Sequence, residues 1–420
     1  DTTYCKLYPG GGGTCMPIGL LQKYAEGSGS NVCSKSWKPC SGDNDCGANE
    51  GLCIENGGMY LGMLTGTYTK NMSGGMLRKN IWSILDEINY NSGSFQTSEN
   101  VQGNIILTLD NMKTIGFDYG THAYDCGWIS DRAMNEGECK MWGNPIGEMM
   151  YETLRYLAGK GSPTTAFTYT TNTDSGVDLP NPDWGIGRGS TTYQTYDVFP
   201  DCARSFMLVI SDVNPSYDSN QVPGSYFNSF TGDLPNLNVS TLADTIGTNE
   251  SISGNYFIGK GESDYDFTCT SKSVSHVARI RGLCPEEPTK QGSFYSSAVG
   301  YYGKTLFQDD TGKPDVTTMA IALSSPVPDI NVKVGTKNVR IVPAGKSVSG
   351  NYDGNVRTSC YDKCSGTTSD ANGLHLAGCL SDAYCPTNQI VDFYVESVTY
   401  DASNVMTSAT FRINFEDVEQ

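Results

Sequence analysis

The sequence contains no run of about eighteen apolar residues, the length a helix needs to cross a bilayer, so no membrane span is expected. At Asp1 it opens on polar residues where a secretory leader would be charged and then apolar, and it reads as a mature or processed product. Basic residues are scarce. Lys and Arg total 28 against 46 Asp and Glu, and the formal charge of -18 repels phosphate backbones and anionic lipid surfaces. Nucleic acid is thereby excluded as a partner. Histidine occurs only at His122, His276 and His375, none beside a serine elbow, a metalloprotease motif or a cysteine nucleophile pattern, which leaves hydrolase chemistry little to work with. Cys-Xaa-Xaa-Cys-His is missing, so no haem is expected, and no nucleotide either.

What is abundant is glycine, cysteine and tyrosine. With 420 residues the chain can form two or three cores, and 48 Gly with 18 Pro favour strands, turns and long loops over helix. Fifteen cysteines are too many for a reduced compartment. Cys5, Cys15, Cys33, Cys40, Cys46 and Cys53 crowd the start, and Cys360, Cys364, Cys379 and Cys385 crowd a late loop, so disulfide pairing within each cluster is the simplest arrangement. Cys126 and Cys139 can close a local loop. Among Cys202, Cys269 and Cys284 one is left over, as a free thiol or as half of a bridge to sequence elsewhere. Zinc could use the spacing of the late four together with His375, but a cysteine-rich extracellular chain favours two disulfides.

Along the chain, Pro17 to Ala25 has helical spacing, and the glycine-rich, four-cysteine stretch 27–57 reads as an insertion loop that projects with little core of its own. Met59 to Tyr68 reads as a strand. Gly147 to Leu157 is the clearest amphipathic helix, stopped by Gly159. Ser205 to Asp212 and Thr317 to Ser324 are apolar runs of the kind that form strands buried on both faces, with a small-residue helix at Ser296 to Gly303 between them. That order predicts a parallel α/β unit. After Pro326 the pattern turns to alternating strands at Asn338 to Val342, Ile390 to Val398 and Ala409 to Phe415. Two regions follow, an α/β region over 1–330 and a β-rich extension over 331–420 with a cysteine-rich loop at 353–386.

Several stretches, in order, resemble the PilC/PilY family of type IV pilus tip adhesins and biogenesis proteins. They are Gly19 to Ala25, Gly147 to Leu157 with its Tyr-Glu-Thr-Leu-Arg-Tyr core, Phe206 to Asn214, Ala278 to Pro285, and the tail segments Val391 to Ser397 and Phe411 to Asp417. The matching region lies between the start of that family's von Willebrand factor A-like domain and its β-propeller. The resemblance implies a partial von Willebrand A-like parallel-sheet body, lacking or hiding its first strands. It also implies a non-enzymatic extracellular protein at the pilus tip. Its partners would be minor pilins, the rest of a larger tip protein and a host or abiotic surface ligand, and its work pilus assembly, adhesion or surface sensing. The sequence departs from the family where an early Asp-Xaa-Ser-Xaa-Ser loop is usual.

The same resemblance implies a magnesium or calcium site at the carboxyl ends of parallel strands, shared among three loops. Asp212 matches the third loop, Asn144 stands where threonine is usual, and Asp110 is the carboxylate available for the first, although the neighbouring Lys113 would compete with an ion. Calcium could also use Asp43 and Asp45 in the first disulfide loop, or Asp309, Asp310 and Asp315 before a strand; neither set has a full calcium-loop pattern, and acidic turns are mostly just solvated. The 25 tyrosines, several in loops at Tyr193, Tyr196, Tyr217, Tyr226 and Tyr256, tilt the reading toward a binding surface. Two alternatives remain. One is a secreted polysaccharide-acting enzyme using Glu286 and Glu287 or Glu416 and Asp417, the other a structural subunit of an extracellular filament.

Overall fold

The computed structural model describes most of residues 5–323, with short gaps, and beyond them only the strands Ile330–Val334, Lys337–Ile341, Ile390–Tyr400 and Met406–Phe415. At its centre lies the Ile146–Leu157 helix. Met150, Tyr151, Leu154 and Leu157 recur at helical spacing and are buried, Glu148 and Arg155 sit in the first and last turns where the helix dipole favours their charges, and Gly159 follows at φ +81° to end the helix. This helix packs on the Tyr295–Thr305 helix and on the Ser205–Asp212 strand. A Cβ at Gly303 would come within 3.3 Å of Leu154, so the small-residue face of the second helix permits the close approach.

The Ser205–Asp212 strand pairs in parallel with Val316–Leu323, in register from Ser205 opposite Val316 to Asp212 opposite Leu323. The Val239–Asn249 and Tyr295–Thr305 helices lie on the crossover between them. The parallel strand, helix, strand unit is therefore present. A larger parallel-sheet body of von Willebrand A-like type is not seen among the described residues. Among the described residues every sheet has two strands, and all pairs but this one are antiparallel. The physical reason is the length of the connections: strands such as Gly254–Ile258 and Thr270–Val274, or Ile330–Val334 and Lys337–Ile341, follow one another too closely for the crossover that parallel pairing demands.

The insertion over 27–57 does not project as an isolated loop. Its Asn31–Cys33 and Cys53–Glu55 strands pair antiparallel, and Val32, Leu52 and Ile54 form a second hydrophobic cluster with Trp82, Ile186, Val198 and Phe199. The Ser34 hydroxyl donates to the Val198 carbonyl and seals the contact. Two interlaced disulfides, Cys33–Cys46 and Cys40–Cys53, hold the hairpin, while Cys5–Cys15 and Cys126–Cys139 close loops elsewhere. Cys284 is also disulfide-bonded, and Cys202 is an exposed free thiol. Cys269, Cys360, Cys364, Cys379 and Cys385 lie outside the described residues, as do His122, His375, Glu286, Glu287, Glu416 and Asp417.

A strand invisible to an apolar pattern completes the body. Met76–Ser83 pairs with Tyr60–Thr65 and is buried along nearly its whole length, although Arg78, Lys79 and Asn80 are polar. Each finds a partner. Arg78 meets Asp174 at 3.2 Å, Lys79 meets Asp86 at 2.7 Å and Glu87 at 2.9 Å, and the Asn80 amide donates to the Asp183 carbonyl at 3.0 Å.

Candidate binding site at the end of the parallel strands

The Ser205–Asp212 strand runs out into a polar loop that is tied down at almost every residue. Asn144, just before the central helix, donates from its side-chain amide to Ser211 Oγ at 2.8 Å and to the Asn214 carbonyl at 3.0 Å. Its backbone N–H donates to Ser216 Oγ at 2.7 Å, and the Ser216 N–H donates back to the Asn144 carbonyl at 2.8 Å. Tyr217 is held at φ +52°, a region costly for a non-glycine residue. Its neighbours enforce that conformation: the Tyr217 N–H donates to the Lys290 carbonyl at 3.0 Å, and its hydroxyl oxygen accepts from the Met134 N–H at 2.8 Å.

Two buried carboxylates anchor the loop from below. Glu148, in the first turn of the central helix, accepts the backbone N–H groups of Gly74, Asn220 and Gln221 at 2.9, 2.9 and 2.8 Å. Asp218 accepts the Ser293 N–H at 2.8 Å, just before the Tyr295–Thr305 helix. A Cβ at Gly147 would lie 2.9 Å from the Asp218 carbonyl oxygen, so only glycine lets the loop press against the helix start. Arg281 closes the set by donating to Ser219 Oγ at 2.8 Å and Asn220 Oδ1 at 2.6 Å.

Burial pushes the Glu148 carboxyl up to about 8, against the three N–H donors that hold its ionised form, and Asp218 up to about 6 in the same way. The folded state therefore keeps protons that the unfolded chain releases. Stability from this pair is complete below the ordinary carboxylate range and is lost as pH rises through about 6 and then about 8. Urea unfolding at pH 5 and pH 9 should differ by about 5 kcal/mol in favour of pH 5 if both shifts are fully expressed. Equal or greater stability at pH 9 would show that the donors outweigh burial and that both carboxyls are ionised throughout.

Beyond this knot the loop presents aromatic rings overlaid by cations. Tyr226 is 52% exposed with the Arg279 guanidinium 5.2 Å from its ring centre, and the Phe227 ring is covered by Arg281 at 4.0 Å and Lys260 at 4.9 Å. In a chain of charge -18, three cations converge here. Desolvation and the neighbouring Arg281 lower the Lys260 ammonium below its ordinary range. An exposed Tyr held under half-buried Arg side chains offers groups that protein interfaces favour. Of the loop tyrosines, Tyr226 and Tyr256 are exposed, whereas Tyr196 and Tyr217 are core residues. The Arg-Ile-Arg alternation at 279–281 was the sequence signal for the cationic half of this surface, and composition alone passed over it.

Of the three candidates for an adhesion-type metal site, Asn144 and Asp110 can be placed in detail. Asn144 meets the end of the Ser205–Asp212 strand, as expected, but it spends its amide hydrogens on Ser211 and Asn214. Asp110 stands on no strand-end loop. It is an exposed residue near the end of the Ile105–Asn111 helix, which packs on the Met76–Ser83 strand. Asp43 accepts the Cys53 N–H at 2.9 Å, and Asp45 accepts the Ser41 and Gly42 N–H groups at 2.6 and 3.3 Å, so both brace the disulfide hairpin. Asp309 and Asp310 lie in the Phe307–Thr311 helix; Asp310 accepts from Asn236 at 2.7 Å, and Asp315 pairs with Lys304 at 3.4 Å. The sulfurs of Cys33, Cys40 and Cys46 lie within 4.8 Å of one another because two disulfides adjoin there.

Comparison with known proteins gives a consistent result. Residues 61–303 match the family described as the PilY1 homolog, second domain, and residues 332–420 match the PilY1 homolog, beta-sandwich. The chain is similar to the type IV pilus biogenesis factor PilY1 homolog of Xylella fastidiosa, at 37% identity over 395 residues, covering 87% of this chain and 24% of that protein. It thus spans about a quarter of that relative's length. No solved structure matches.

Proposed function

Since the chain belongs to the PilY1 homolog family, we propose that it acts in type IV pilus biogenesis as a non-enzymatic, extracellular part of a larger pilus-tip protein. It docks on minor pilins and contributes to adhesion or surface sensing. The observation that carries this reading is the second-domain match over 61–303, which takes in the whole pinned loop and its aromatic, cationic rim. A binding role also agrees with how the buried carboxylates are used. Glu148, Asp174 and Glu152 each accept two or more hydrogen bonds from neighbouring loops, which is the work of a scaffold that positions a surface. Four disulfides among the described residues suit the oxidising exterior.

The test is a pair of strains. Deletion of the gene should abolish or sharply reduce surface pili, and normal piliation in that strain would overturn the biogenesis reading. A strain carrying Tyr226→Ala with Arg279→Ala should make the folded protein at normal level, yet assemble fewer pili and bind purified minor pilins at least about tenfold more weakly, as loss of interface anchors does. Unchanged pilin affinity would remove this surface from the reading.

A further inference from the structure

Arg279 and Arg281 are two cations to which the fold gives no acid. Ile280 between them is buried in the main core, and they flank it, half-buried, with their guanidinium groups over the adjoining Tyr226 and Phe227 rings, whose centres are 5.4 Å apart. Among the described residues neither arginine makes an ion pair, and Arg281 gives its side-chain hydrogens to the neutral oxygens of Ser219 and Asn220. The carboxylates whose fields reach them are engaged elsewhere. Glu262, which acts on Arg279, accepts the Ser275 N–H at 3.1 Å; Glu148 and Asp218, which act on Arg281, are buried and accept backbone N–H groups.

The backbone brings a third positive charge alongside. Lys260 and Arg281 face each other in an antiparallel bridge, where the Lys260 N–H donates to the Arg281 carbonyl at 2.7 Å and the Arg281 N–H to the Lys260 carbonyl at 3.2 Å. Like charges set directly opposite are destabilising. A chain with 46 acidic against 28 basic residues has acids to spare, yet this spot gathers cations over aromatic rings. An anion arriving from outside relieves their repulsion.

The surroundings select its chemistry. Guanidinium forks grip carboxylate or phosphate oxygens in pairs. A long polyanion, however, lays many charges along a surface of net charge -18 and is repelled over most of its length, whereas a short peptide brings one or two carboxylates to the arginines alone. A peptide also supplies an apolar side chain for the 52% exposed Tyr226 ring. Resting on the reading of this rim as a docking surface, we propose that it accepts a short acidic peptide segment of the partner protein, with carboxylates on Arg279 and Arg281 and an apolar side chain against Tyr226.

Fluorescence anisotropy tests this on the protein produced in a strain lacking minor pilins. The probes are a labelled peptide with two glutamates flanking a phenylalanine, its counterpart with glutamines, and labelled heparin. The acidic peptide should bind at least about tenfold more tightly than the glutamine peptide and than heparin, as charge-assisted pairing to arginine requires. Arg279→Gln should remove that advantage, whereas Lys23→Gln, which changes a lysine over the exposed Tyr24 ring, should leave it intact. Equal binding of the two peptides, tighter binding of heparin through Arg279, or no peptide binding would each overturn the proposal. Titration with minor pilins separates it from the docking reading. Peptide binding that needs Arg279 supports the acidic-segment site even where pilins ignore that residue, an outcome that overturns pilin docking alone; pilin binding that needs Arg279 without any peptide binding overturns the acidic-segment site and spares pilin docking.

Discussion

Replacing Arg78 by Met is expected to destabilise the protein by about 3–5 kcal/mol, the cost of leaving one member of a buried ion pair alone. Arg78 and Asp174 have fully buried side chains and meet at 3.2 Å. The arginine also donates to Thr65 Oγ1 at 2.9 Å, to the Tyr169 hydroxyl at 3.1 Å and to the Pro180 carbonyl at 3.1 Å. Asp174 in turn accepts the Tyr68 and Thr69 N–H groups at 3.0 and 2.8 Å. One charge pair therefore ties the Tyr60–Thr65 hairpin to the long loop around 169–180. Removing the cation leaves a carboxylate with no water and only neutral donors. The double variant Arg78→Met with Asp174→Leu should recover much of the loss, because replacing both partners removes the uncompensated charge. Urea unfolding of the three proteins decides it. A single variant that loses less than about 1 kcal/mol would mean that water reaches Asp174 in the folded protein.

Loss of the interlaced disulfides is the second large effect. Cys33–Cys46 and Cys40–Cys53 each span 13 residues, and a loop of that size restricts the unfolded chain enough to be worth about 2–4 kcal/mol per bridge. The damage should be local. Val32, Leu52 and Ile54 pack with Trp82, Ile186, Val198 and Phe199 in a cluster separate from the main core, which holds Leu154, Trp184 and the two long helices. Substituting Cys40 and Cys53 by Ser should bring out an early thermal transition in which Trp82 becomes exposed, while the core around Trp184 unfolds at its original temperature. A single unshifted transition would show that the hairpin holds its place without the bridge.

Elements whose residues obey a period were legible before the fold was known. The Ile146–Leu157 helix carries a helical period, the parallel strands are continuous apolar runs and the late antiparallel strands alternate, and the structure forms an element at each place. The cysteine clusters were legible for a similar reason, since short sequence separations favour local bridges. The Met76–Ser83 strand was not. Arg78, Lys79 and Asn80 break its pattern, and their burial is made tolerable only by Asp174, Asp86, Glu87 and Asp183, some of them about a hundred residues away.

The candidate site divides along the same line. Sequence identified the strand end at Asp212 and a tendency toward loop tyrosines within single local segments, whereas Asn144 entered through the family resemblance and meets the strand end across 67 residues. It placed Asp110 after an apolar run as if on a loop, where the structure has a helix, since a short apolar run cannot by itself tell helix from strand. Which tyrosines reach solvent depended on tertiary packing: Tyr217 is buried by Met134 and Lys290, whereas Tyr226 is left outside under Arg279.

Sequence by itself determined the net charge, the clustering of the cysteines and the order of the apolar and alternating segments, because charge, cysteine spacing and hydrophobic pattern are properties of the chain alone. Tertiary structure alone decided that the disulfide insertion docks on the body, that buried charges hold the loops, and that the parallel pair shows an uncovered apolar face. Each of those depends on contacts between segments far apart in the chain, and a side chain's burial and pairing are set by what folds back against it.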